Sequence, residues 1–304
     1  MNKVYHNSFF AMGTRFNTVI PDIDFEHGDK IFFNIQKEVN RIESILSYFN
    51  RTSEVYKLNH RNKNNSIPIS SELFNILDIC LNYNKLTEGA FDITLRPVIE
   101  QLEESEKILS GDEIKNKPFS YGMDKIKLNE DETITFADEY LTVDFGGFGK
   151  GYSLDKIKTI LLNYNVKNAF ISFGESSILA LGSQPIGNCW KVGINNYQSP
   201  GSSITTIELN NESISSSANF SISDDGSFRR KINVIDPRTQ VQAVSNKSVT
   251  VKSSSAIEAE ILSTAFLLMN EQKILKILDG LKGISVVEVI YNDEPVINFY
   301  NGEN

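Results

Sequence analysis

The chain has 304 residues, 40% hydrophobic and 23% charged, an ordinary globular composition with material for a sizeable core. It carries 30 Lys and Arg against 39 Asp and Glu, a formal net charge of −9 without a basic stripe. Duplex nucleic acid, whose phosphates need clustered cations, is therefore excluded as a partner. No run approaches the ~18 apolar residues of a membrane-spanning helix. Two cysteines, Cys80 and Cys189, are too few for a disulfide framework, and reduced buried thiols are expected. His6, His27 and His60 are scattered, which argues against a histidine metal cluster. Met1 to Thr14 lacks an apolar core followed by a small-residue cleavage site, so the cytoplasm is the expected compartment.

In chain order, Thr14 to Ile20 reads as a strand closed by Pro21. Ile31, Ile35, Val39, Ile42, Ile45, Leu46 and Phe49 follow the helical period, which predicts a helix from Ile31 to Phe49. After the polar loop from Arg61 to Ser66, Ser70 or Ser71 can cap a second helix running past Leu81. Glu100 to Lys117 reads as a surface helix and loop. The second half is richer in strands: Ala169–Phe173, Trp190–Ile194, Ile204–Leu209 and Ser248–Lys252 are β-branched or aromatic segments. Two helices, Ala256–Met269 and Gln272–Leu281, precede a closing hairpin of Val286–Tyr291 and Val296–Tyr300. Strands and helices mix without regular βαβ spacing, so the expected class is α+β, a mixed sheet-and-helix fold in one unit covering residues 1–304.

Four segments carry chemistry. Val143 to Tyr152 places four glycines and Lys150 between a short β-like run, Leu141–Val143, and a helical pattern, Ser153–Tyr164. Backbone close to a ligand, a helix N-terminus and a lysine suit phosphate; a tight structural turn is the alternative. Glu260 and Thr264, four residues apart, share a helix face as hard oxygen donors suited to Mg²⁺. The alternative is a solvated glutamate and a threonine bonded back to the helix. Asp92, in Gly89 to Thr94, offers an acceptor to a ligand or caps its own turn. Asp236, in Asn233 to Thr239, leaves a strand as Asp-Pro.

Taken in order, these segments resemble the ApbE family of FAD:protein FMN transferases. Met12-Gly13-Thr14 is similar to its MGT signature, and Tyr48 to Asn59 to its Y/F-N-x-x-S-E…L-N segment. Gly89 to Thr94 matches G-A-F-D-x-T, and Asp144 to Tyr152 matches D-x-G-G-x-x-K-G-Y. Asn233 to Thr239 resembles H-I-I-D-P-x-T-G, and Ala259 to Ala265 resembles A-D-A-L-S-T-A. The resemblance implies Mg²⁺-dependent transfer of FMN from FAD to a Thr hydroxyl of an acceptor protein, a redox subunit, with AMP released. By motif position, Met12, Phe49, Ala90, Phe91, Asp92, Asp144 and Lys150 would line the FAD site. Glu260, Thr264 and the carbonyl of Gly147 would hold the metal, with another carbonyl from near Ile257. Asn233 and Asp236 would occupy the catalytic motif.

The chain departs from the family pattern at several of these positions. Asn233 stands for the motif histidine, so an imidazole base is missing there, a loss worth about 10²–10⁴-fold. Glu260 stands for aspartate, which moves the carboxylate out by one methylene. Glu175, Ala218 and Gln240 stand where glycine is usual. The departures imply two alternatives to transfer: a flavin or nucleotide binder with impaired catalysis, or a metal-dependent FAD pyrophosphatase. Family members are often exported lipoproteins, whereas no lipobox cysteine stands in the first residues here.

Overall fold

Eight strands form the central sheet, and their order in space is their order in the chain. They are β1 (Val4–Ala11), β2 (Thr14–Pro21), β3 (Ala169–Phe173), β4 (Ser177–Leu181), β5 (Glu212–Ala218), β6 (Lys247–Ser253), β7 (Ser285–Ile290) and β8 (Val296–Asn301). Every neighbouring pair is antiparallel. The computed structural model describes residues 3–61, 66–105, 120–199, 201–222, 228–230, 234–239, 241–242 and 246–302. Its described helices are α1 (Phe25–Leu46), α2 (Glu54–Asn59), α3 (Ser71–Leu86), α4 (Arg96–Ser105), α5 (Gly149–Asn163), α6 (Ala256–Leu267) and α7 (Glu271–Leu278). The α+β mixture expected from the sequence is what the chain forms.

Alternation along the strands gives the sheet two faces. Ile171 and Leu179 point into a core with Ile35, Val39, Leu154 and Phe16, under α1 and α5. Their neighbours Phe170 and Ile178 point the other way, where the hairpin Trp190–Asn195 and Ser203–Leu209 covers them. A second core joins Leu46, Leu73, Phe148 and Phe266 beneath α3 and α6. Helix α6 is buried around nearly its whole circumference, so it lies inside the molecule with a glutamate, Glu260, among its buried residues.

Three local expectations are corrected. Helix α1 begins earlier, at Phe25, and ends at Leu46, before Phe49. There the Ser47 hydroxyl accepts the Asn50 N–H at 3.1 Å and the Ser47 carbonyl accepts the Ser53 hydroxyl, which pulls the chain out of the helix. Among the described residues Leu141–Val143 makes no ladder beyond a single parallel bridge from Leu141 to Ser120. Side chains take its backbone groups instead: Asn59 brackets Val143 with two hydrogen bonds of 2.9 Å, and Arg61 donates to the Leu141 carbonyl. Helix α5 starts at Gly149 rather than Ser153, so Lys150 and Gly151 lie in its first turn. Much of Glu100 to Lys117 lies outside the described residues, although α4 covers its start.

One polar tie joins α1, α3 and α5. Glu72 accepts Arg41 Nη1 at 2.5 Å and Nη2 at 2.8 Å, and the Tyr152 hydroxyl at 2.7 Å. The Arg41 hydrogen bonds outweigh burial and, with Tyr152, bring the Glu72 carboxyl down to about 2. A depressed folded pKa contributes stability that is present above the unfolded value and lost as pH falls through the folded one. Glu72→Gln is therefore expected to flatten the fall in Tm between about pH 4.5 and pH 2, read by thermal unfolding across that range. An unchanged acid slope would remove Glu72 from the tie.

Candidate active site

The first turn of α5 packs against α6, and a cavity of about 500 Å³ opens beside that contact. Asp92, Asp144, Lys150, Ser217, Glu260 and Thr264 are on its walls, with Phe49, Ala90, Phe91 and Gly147. A second cavity, of about 320 Å³, is lined by Met12, Glu43, Tyr48 and Phe145 among others. The two share Phe49, Asp144, Gly146 and Lys150, so they meet at a carboxylate, an ammonium and an aromatic ring.

Glu260 is 3% exposed, and a buried carboxylate is tolerated only when paired and hydrogen-bonded. Lys150 Nζ donates to its Oε1 at 2.7 Å, and the Gly151 N–H donates to Oε2. Glycine at 151 makes this possible, since a Cβ there would lie 2.5 Å from the Ala256 carbonyl oxygen. Helix α6 is held in place by Asp155, whose carboxylate accepts the Ser255 hydroxyl and the Ala256 and Ile257 N–H groups. One turn after Glu260, the Thr264 hydroxyl donates to the Glu260 carbonyl at 3.2 Å and lies 3.4 Å from the Ser217 hydroxyl. A Cβ at Gly147 would lie 3.8 Å from Thr264 Oγ1, so the glycine loop faces that hydroxyl. Of the two alternatives for this pair, Thr264 does bond back to its helix, but Glu260 is not solvated.

Asp92 and Asp144 form a second acidic wall. Asp92 Oδ1 accepts the Thr94 N–H at 2.7 Å and the Thr94 hydroxyl at 2.6 Å, the turn cap foreseen for it, while also facing the cavity. Asp144 Oδ1 accepts the Gly146 N–H at 3.0 Å, and its own N–H donates to the Ile93 carbonyl at 2.7 Å, tying the two segments together. Burial raises both carboxyls above the usual range, against the hydrogen bonds they accept. Phe49 is 69% exposed, edge-on to Tyr48 at 5.2 Å, with the Arg96 guanidinium 5.1 Å from its ring centre. The guanidinium lies over one side of the ring, and the rest of the exposed side chain borders the meeting point of the cavities. Met12 adopts a positive φ of 46°, donates its N–H to Glu43 at 3.2 Å, and reaches only the second cavity.

Asp236 does not line either cavity. Arg238 grips it with Nε to Oδ1 at 2.8 Å and Nη2 to Oδ2 at 2.7 Å, and also donates to the Leu268 carbonyl at the end of α6. Burial pushes the Asp236 carboxyl up, but the Arg238 hydrogen bonds and charge bring it below its ordinary value. The pair anchors the segment whose Val234 and Ile235 do line the cavity. Asn233 and Gln240 lie outside the described residues. Ile257, expected near the metal, is not on the cavity wall, and neither is any of the three histidines. Sequence reading missed Ser176, Ser215 and Ser216, which line the cavity with Ser217. The signal available was the run Ser215-Ser216-Ser217 on a strand with only one large apolar residue, Ile214.

In fold the chain is similar to known flavin transferases. The flavin transferase ApbE from Vibrio cholerae superposes with a TM-score of 0.85 at 20% identity, covering 99% of this chain and 98% of that one. The ApbE protein of Thermotoga maritima gives 0.84 at 23% identity, over 99% and 97%. In sequence, the FAD:protein FMN transferase of Haemophilus influenzae is 26% identical over 310 residues, 96% of this chain and 88% of its own. That of Escherichia coli K12 is 24% identical over 276 residues, 86% and 78%. The sequence pattern of the ApbE family matches residues 12–287, and the chain belongs to that family.

Proposed function

We propose that this protein transfers FMN from FAD to a Thr hydroxyl of an acceptor protein and releases AMP. The observation that carries the reading is the junction of two cavities at Phe49, Asp144, Gly146 and Lys150. A dinucleotide has two ring systems joined by a pyrophosphate, and two cavities joined at an ammonium and a helix N-terminus match that layout. Phe49 offers a ring face to flavin or adenine. Lys150 and the positive end of the α5 dipole orient the pyrophosphate, and the apolar parts of the walls exclude water from it. In the reaction a phosphorus–oxygen bond to AMP breaks and one to the Thr oxygen forms, with the hydroxyl proton passing to a base.

Mg²⁺ suits the oxygen donors here. Glu260 already holds a cation, its own lysine ammonium, at 2.7 Å, and Thr264 and Gly147 adjoin it. Glu260, the Thr264 hydroxyl and the Gly147 carbonyl would hold the ion. When bound it would neutralise charge on the pyrophosphate. Among the described residues no three His, Cys, Asp or Glu side chains cluster for a metal, so hydroxyl, carbonyl and phosphate oxygens would complete the shell.

Phe49→Ala is expected to weaken FAD binding about three- to tenfold, the loss of one stacked ring, read by quenching of flavin fluorescence. Unchanged affinity would move the ring site elsewhere. A second reading, a flavin nucleotide binder without transfer, is supported by the absence of a histidine from the cavity walls. Titration with FAD followed by mass analysis of a threonine-bearing acceptor separates the two. Adduct with AMP supports transfer, bound FAD without adduct supports the binder, and free FMN without acceptor indicates hydrolysis.

A further inference from the structure

We propose that Lys150 acts as an exchangeable cation on Glu260: it neutralises the carboxylate when no nucleotide is bound, and a pyrophosphate draws it away so that a divalent ion can take its place. The inference rests on the reading above and adds a coupling between the two ligands.

The argument begins with the two donors on Glu260. One is the Gly151 N–H, fixed in the first turn of α5. The other is the Lys150 ammonium, on a flexible four-carbon stem whose side chain is 22% exposed against 4% for Glu260. Only the second donor can leave without moving a helix. Lys150 also lines both cavities, so the same ammonium that reaches Glu260 borders the place proposed for the pyrophosphate. A divalent ion and an ammonium cannot both sit against Glu260 Oε1 without strong like-charge repulsion in a buried setting. In the nucleotide-free protein, a metal must therefore expel Lys150 into a cavity that offers it no phosphate. Once a pyrophosphate is present, the displaced ammonium gains a partner, and the expulsion becomes favourable. Each ligand then raises the affinity of the other by the same factor.

A metal that simply touches the phosphate would also give coupling, but it would leave the nucleotide-free metal affinity indifferent to residue 150. That difference is the test. Mn²⁺ binding is titrated by electron paramagnetic resonance on the purified full chain, without nucleotide and with saturating ADP as the diphosphate probe. Lys150→Met is expected to bind Mn²⁺ at least about tenfold more tightly than the unaltered protein without nucleotide, and to gain less from ADP. Lys150→Arg, which keeps a cation on Glu260, is expected to stay near the unaltered protein, and Glu260→Gln to lose the Mn²⁺ response. Since Lys150→Met leaves a buried carboxylate unpaired, its thermal unfolding is followed alongside. Mn²⁺ is expected to raise its Tm more than that of the unaltered protein. Equal nucleotide-free Mn²⁺ affinity in the Lys150→Met and unaltered proteins overturns the proposal. Failure of both FAD and ADP to bind would overturn the transferase reading instead, because the nucleotide-free comparison reads Lys150 and Glu260 alone.

Discussion

Gly151→Ala is expected to be the most damaging single-methyl addition at the site. The new Cβ would stand 2.5 Å from the Ala256 carbonyl oxygen, 2.9 Å from its carbon and 2.9 Å from Glu260 Oε2. Two of those atoms are backbone at the start of α6, fixed by the Asp155 cap, so no rotamer change relieves the clash. The helices must separate, which breaks the Gly151 N–H bond to Glu260 and admits water beside the carboxylate. Overpacking of this kind typically costs about 1–3 kcal/mol, and the lost bond to a charged acceptor about 1.5–3 more. Urea unfolding should show a fall of about 3 kcal/mol or more, with FAD and metal binding impaired together. Gly149→Ala is the control, since its nearest contact would be an ordinary 3.6 Å to the Met12 sulfur. Equal effects at 149 and 151 would refute the close crossing of α5 and α6.

The second large effect is expected at Lys247. Its ammonium donates to the Phe266 and Met269 carbonyls at the end of α6 and to Glu288 Oε1 at 2.8 Å on β7. Glu288 Oε2 accepts the Tyr300 hydroxyl at 2.8 Å and Asn298 at 3.1 Å. Lys247→Met leaves Glu288 buried and unpaired, a loss of about 3–5 kcal/mol, and Lys247→Met with Glu288→Gln should recover part of it. The pH dependence has a definite sign. Burial raises the Glu288 carboxyl, but Lys247 together with the Asn298 and Tyr300 hydrogen bonds outweighs it and holds the group below its ordinary value. The pair therefore stabilises above the unfolded pKa and fades as pH falls through the folded one. In Lys247→Met the unpaired carboxyl favours its neutral form, so the deficit measured at pH 7 should shrink toward pH 4. A deficit independent of pH would mean that the lost packing of the lysine stem, rather than charge, dominates.

Much of this molecule was legible before its structure. The helical period from Ile31 to Leu46 is the buried stripe of α1, and the Ser70 hydroxyl does cap α3, accepting the Leu73 N–H at 3.2 Å. What escaped reading was decided by contacts distant in sequence. Gly149 to Gly151 has poor helix propensity, and it is the close fit against α6 that makes it helical. Leu141–Val143 has strand character, but Asn59 and Arg61 take up its backbone groups from more than 70 residues away. Ser215 to Ser217 lacks the apolar alternation that marks a strand, because one of its faces is a polar cavity wall.

The site divides in the same way. Phe49, Ala90, Phe91, Asp92, Asp144, Gly147, Lys150, Glu260 and Thr264 do meet on one cavity, with Met12 on the adjoining one. It was the resemblance of their segments, in order, to the motifs of one family that grouped them. The ion pair between Lys150 and Glu260, 110 residues apart, was not foreseeable, and it changes what the glutamate does. Asp236, grouped with catalysis by motif position, is paired with Arg238 and is not among the residues lining the cavity.

The decisive experiment is mass spectrometry of an unmodified threonine-bearing redox subunit after incubation with this protein, FAD and Mg²⁺, with AMP quantified in the same sample. The transferase reading requires an FMN adduct on threonine and AMP in equal amount. FAD bound to the protein with neither adduct nor AMP would contradict it.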